Sequence, residues 1–224
     1  MLGKGKKWYV DGTFKAVPTI FTQLVTFHTK YLGWHWPCVH CLCSSKSKES
    51  YSLMYVNLKI NFGAVGLVPR PRSFNVDFEL AHILAIRIHY PNSSIHGCYF
   101  HFCQAIYRKV QEFGLAPAFC SRPVFHLWVK KILACPYLPL EVMEDYFIEE
   151  ILIFASNNDD IRDMAGIDDF CDYVTSQWFE NPSVPQSLWN IHDREDDDRT
   201  NNCCETWHSK WNRKDGTQHP HVFK

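Results

Sequence analysis

The chain has 224 residues, 46% hydrophobic and 15% aromatic, with 24 acidic and 23 basic side chains. That apolar content supplies one sizeable core, or a domain carrying an inserted part, and excludes bulk disorder. No apolar run is long enough to cross a bilayer. The opening Met1-Leu2-Gly3-Lys4-Gly5-Lys6-Lys7 has no apolar core of a signal peptide, so the ten cysteines are expected as buried thiols or metal ligands in a reducing compartment.

The near-zero net charge hides an asymmetry. Residues 1–140 hold 16 Lys+Arg against 5 Asp+Glu, and residues 141–224 hold 7 against 19. A basic N-terminal part is the electrostatic footprint of a polyanion-binding face; simple packing of a basic part on an acidic part is the alternative.

Residues 8–10 and 13–28 read as two strands around an Asp11-Gly12 bend, and 37–43 as a third, giving an antiparallel meander. Lys48 to Phe62 is predicted helical, since Tyr51, Met54, Tyr55 and Leu58 share one face. Ser73 to Val76 is a short strand running into Asp77. A helix over 78–89 is expected to turn Ala81, Leu84, Ala85 and Ile88 inward. Ile95 to Phe100 reads as a fifth strand, and 102–113 as a helix with Ile106 and Val110 inward. The order predicts an α/β fold, a mixed five-stranded sheet with flanking helices, as in the RNase H-like architecture. Three stretches follow: 1–117 as the first part of the core, 118–190 as an all-α insertion with inward Trp128, Ile132, Val142, Tyr146, Phe147, Ile151 and Phe154, and 191–224 as the rest of the core.

Three acidic residues stand where such a sheet would deliver them. Asp11 ends the first strand, Asp77 ends the strand at 73–76, and Glu205 lies on a short helix after the helical stretch. Strand ends gather ligands in open sheets, and metal-assisted phosphoryl transfer needs several carboxylates converging on one spot. Each also has a plain structural reading. Asp11-Gly12 is a type I′ hairpin signal, Asp77 could cap a helix, and Glu205 follows Asn202 at capping-box spacing.

Taken together, Asp11-Gly12-Thr13-Phe14-Lys15, Pro18, Gln23 to His28, Pro37, Lys46, Tyr51, Asp77-Phe78-Glu79, Gly97 to Phe102, Trp189-Asn190, Arg199 to Asn202, Glu205 and Trp207-His208 resemble the Mutator-like element (MULE) transposase domain. The resemblance is to the kind found beside FLYWCH zinc fingers in animals, and it runs over about 8–222. It implies a DDE-type transposase core with Asp11, Asp77 and Glu205 as the catalytic, metal-holding triad. It also implies two Mg²⁺ or Mn²⁺ ions rather than zinc, cleavage and joining of DNA at element ends and target, a homodimer or higher oligomer, a nuclear location and no membrane.

Cys98 and His101 match the family's Cys/His pair and are expected to brace the site. Lys15, Arg70, Arg72, Arg108 and Lys109 are the candidate DNA contacts. Cys38-x-x-Cys41 has zinc-like spacing, but a strand there would point the two thiols to opposite faces; Cys203-Cys204, His208, His219 and His221 could complete a site only through the fold. No separate recognition finger is visible in the sequence. A decayed, non-catalytic binding module and a cellular nuclease are the competing readings.

Overall fold

A computed structural model of the chain describes residues 1–14 and 17–215. Two compact units divide it, Met1–His96 with Thr200–Lys224, and Gly97–Arg199.

The first unit is built on a sheet. Its elements are β1 (Lys7–Thr13), β2 (Gln23–Tyr31), β3 (Trp34–Cys43), α1 (Lys48–Ala64), β4 (Ser73–Val76), α2 (Leu80–His89) and β5 (Ser94–Gly97), in the sheet order β3-β2-β1-β4-β5. β1 runs antiparallel to β2, with Asp11 opposite Thr26, and parallel to β4, with Tyr9 opposite Asn75. A parallel partner needs a long crossover, which α1 supplies. The sheet is therefore mixed and five-stranded, as the element order predicts. Aromatic side chains form its core: Trp8 meets Phe27, Phe74 and Tyr90 edge-on at 5.4–5.8 Å, and Phe27 meets Tyr55 at 5.9 Å. Such contacts add about 1 kcal/mol each to area burial.

Two local expectations change. Asp11-Gly12 is not a bend; it lies within β1, and the connection to β2 runs over 14–22. Gly12 serves close approach instead, because a Cβ there would stand 2.8 Å from Gln23 Oε1. The tight turn of the meander is Leu32-Gly33, both at positive φ (+51° and +79°), the backbone of a type I′ hairpin. In α2 the inward face is His82, Ile83, Ala85 and Ile86, while Leu84 and Ile88 are exposed; α2 packs on α1.

The second unit is helical among the described residues, with α3 (Tyr99–Glu112), α4 (Ala116–Ser121), α5 (Pro123–Ala134), α6 (Leu140–Tyr146), α7 (Phe154–Asn157), α8 (Asp159–Arg162), α9 (Ile167–Val174) and α10 (Gln186–Trp189). A π-helical stretch, Phe147–Ile153, joins α6 to α7. Phe102 stacks on Trp189 at 5.2 Å and meets Trp178 edge-on at 4.7 Å; the Trp128 indole donates to the Ile151 carbonyl. Met143, not Val142, takes the inward position on α6. In this unit, 97–199, α3 packs with α4, α5 and α9. The charge asymmetry follows this division: 15 basic against 6 acidic residues in the first unit, 8 against 18 in the second.

A last helix, α11 (Asn202–Asp215), returns to the first unit and lies against β1, β2 and β3.

Candidate carboxylate site on the central strand

β1 is hydrogen-bonded on both sides and almost wholly buried, so a charged residue on it needs partners. Asp11 is 6% exposed, and its Oδ2 lies 3.1 Å from Nδ1 of His208, on α11. Nε2 of His208 lies 3.0 Å from the hydroxyl of Thr26, which also stands 3.4 Å from the Asp11 carbonyl. With the proton on Nδ1, the imidazole donates to Asp11 and accepts from Thr26. The row has the chemistry of a hydroxyl–imidazole–carboxylate relay, but Thr26 is fully buried and no substrate reaches it. It orients Asp11.

Two asparagines fix α11 against the strands. Asn201 donates from Nδ2 to the Val10 carbonyl at 3.2 Å, and Asn75 on β4 donates to the Thr200 carbonyl at 3.2 Å. The amides of Cys204 and Glu205 both donate to the Asn201 carbonyl, so the helix opens at Asn201 and Glu205 stands in its first turn and a half. The Asn202–Glu205 spacing therefore does not make a capping box.

Asp77 follows β4 and accepts from the Glu79 amide through Oδ1 at 3.3 Å, a local turn that leads into α2. Glu79 ends a polar row: Gln23 donates to the Tyr51 hydroxyl at 2.6 Å, Tyr51 donates to Glu79 Oε1 at 2.9 Å, and Lys46 pairs with Glu79 Oε2 at 3.3 Å. Burial, followed by the Glu79 carboxylate among other causes, holds Tyr51 as the neutral phenol by raising its pKa. Lys46 also lies over the Phe14 ring at 4.1 Å. Asp11, Asp77 and Glu205 thus come from β1, the end of β4 and α11 of one unit. The three together do not form one of the sets of ligand atoms within 4.8 Å of one another found in the described residues.

In the helical unit, Cys98 is fully buried at the start of α3, with its Sγ within 4.8 Å of a ring nitrogen of His101. Beside it Arg194 donates to the carbonyls of Gly97 and Leu188, and burial lowers its pKa to about 10. Arg70 and Arg72 are exposed and flank Pro71 just before β4 in the first unit. Arg108 is exposed on α3, whereas Lys109 pairs with Glu112 at 2.9 Å and lies over Tyr173. Lys15 lies outside the described residues, as do His219 and His221.

The sequence reading does not name Thr26 as a site residue, and it offers His208 only as a residue that could complete a zinc site, not as the partner of Asp11, although Trp207-His208 stands among the matching motifs. A histidine three residues after Glu205, one helical turn on, was the available signal.

No curated protein matches the chain. A family comparison does: residues 7–105, from the start of β1 into α3, match the MULE transposase domain, the family its motifs resemble, across Asp11, Asp77, Cys98 and His101.

Proposed function

We propose that the chain is a DDE-type transposase catalytic domain with an RNase H-like fold, of the kind found beside FLYWCH fingers, acting on DNA with divalent metal. The observation that carries this is a MULE match spanning Asp11 and Asp77, together with their delivery from β1 and from the end of its parallel neighbour β4, and Glu205 on the helix pinned to both strands.

The donor set suits the group. Three carboxylates are hard oxygen ligands of the type that Mg²⁺ and Mn²⁺ take. Such ions, when bound, supply charge neutralisation at the phosphate and activation of a water or 3′-OH. The chain's own part is to present Asp11 from a rigid central strand, to hold its Oδ2 through His208, and to keep the region beside it dry. Arg70 and Arg72 are placed to contact DNA backbone from the loop before β4.

The full chain with Mg²⁺ or Mn²⁺ and element-end DNA is expected to nick or join strands, and Asp11→Asn to lose at least 100-fold while keeping its fold. Activity equal to the parent's in Asp11→Asn rejects the triad. A second reading, a transposase-derived binding module without catalysis, is favoured by two observations: Asp11 already has His208 as partner, and the three carboxylates do not lie within 4.8 Å of one another as a set. Calorimetric Mn²⁺ titration separates the two, since only the catalytic reading predicts binding that Asp11→Asn removes.

A further inference from the structure

A second cluster in the sheet unit has softer chemistry. A ring nitrogen of His28 on β2 and the thiols of Cys203 and Cys204 in the first turn of α11 lie within 4.8 Å of one another. His28 is 1% exposed, and its Nε2 is fully buried with no hydrogen-bond partner. An imidazole nitrogen in that state has given up its hydrogen bond to water with nothing in exchange, which favours a ligand that takes up its lone pair. The two sulfurs are 3.9 Å apart. A tetrahedral ion with metal–sulfur bonds of about 2.3 Å sets its sulfurs about 3.8 Å apart. The ring of Trp207, one turn along α11, stands 6.1 Å from the His28 ring and 4.6 Å from His40 on β3.

We propose that His28, Cys203 and Cys204 form a zinc site that fastens the first turn of α11 to β2. Two thiolates and one neutral imidazole are a borderline-soft donor set, unsuited to Mg²⁺ and suited to Zn²⁺, with one coordination position left for water. Binding releases two thiol protons and uses the lone pair of a His28 ring nitrogen, so no oxidant or further reactant is needed. The site is separate in chemistry from the carboxylates and does not depend on the transposase reading. It also answers a question the sequence poses. The partner of Cys203-Cys204 is His28, 175 positions earlier, rather than the Cys38–Cys43 stretch.

The test is cobalt substitution in the metal-free, reduced full chain. One equivalent of Co²⁺ is expected to produce the thiolate charge-transfer band and the tetrahedral visible bands of a Cys₂His site. Cys203→Ser/Cys204→Ser is expected to lose both, His28→Gln to weaken binding at least tenfold, and Cys38→Ser/Cys41→Ser to keep both. Should the site variants fold poorly, the parent protein still decides: stoichiometric zinc is expected to slow alkylation of Cys203 at least tenfold, read by peptide mass spectrometry. Cobalt bands that persist in the Cys203→Ser/Cys204→Ser variant, or Cys203 alkylation unchanged by zinc, overturn the proposal.

Discussion

Asp11 is a buried carboxylate paired with an imidazole held from behind by Thr26. Removing the imidazole leaves the charge buried without that donor, so His208→Ala is expected to cost about 3 kcal/mol in urea unfolding. Asp11→Asn/His208→Ala is expected to cost less than the two single variants together, because the pair acts as a unit. Another buried histidine predicts the acid response. His82 packs between Tyr51 and Tyr55, within 2.8 Å of the Tyr55 hydroxyl, and burial lowers its pKa to about 3. The unfolded chain, with an ordinary histidine near 6.5, binds the extra proton first. Stability is therefore full above pH 6.5 and falls toward pH 3, at about 1.4 kcal/mol per pH unit for this one group. Urea melts of the parent and of His82→Gln across that range check it: the variant is expected to have the shallower slope.

At the scale of elements, hydrophobic spacing located α1 and its buried face correctly, because Tyr51, Met54, Tyr55 and Leu58 meet the sheet at a helical period. It misread the Asp-Gly pair. Local chemistry favours a turn there, but β1 keeps its pairing with β2 by continuing through it, with Asp11 opposite Thr26 and Gly12 opposite Val25, and Gly12 makes room for Gln23. The turn formed at Leu32-Gly33 instead. Leu32 is 80% exposed at φ +51°, a conformation costing a β-carbon about 1 kcal/mol. Leu32→Asn is expected to stabilise the chain by up to about 1 kcal/mol, read as a higher unfolding midpoint in urea. For α11 the anchors are Asn201 and Asn75. Asn201→Ala is expected to speed hydrogen exchange over 203–210 while β1 and β2 stay protected, which exchange mass spectrometry resolves.

The whole molecule divides into a basic sheet unit and an acidic helical unit. The helical unit is one continuous piece, 97–199, and its ends meet within it: the Tyr99 amide donates to the Arg199 carbonyl at 2.8 Å and Arg194 donates to Gly97. Its tryptophan core is its own. The fragment 97–199 is thus expected to fold alone, with helical circular dichroism and a cooperative melt. A fragment that stays unfolded would show that its core needs the remainder of the chain.

The sequence by itself determined the order of strands and helices, the mixed five-stranded sheet and the family resemblance. Those rest on periodicity and short motifs, which are local. Only the tertiary structure decided the partners. That Asp11 meets His208 across 197 positions, and that His28 meets Cys203 and Cys204, follows from how β2 and α11 pack. Hydrophobic spacing reports which face of an element turns inward, but it carries no information on what that face will meet.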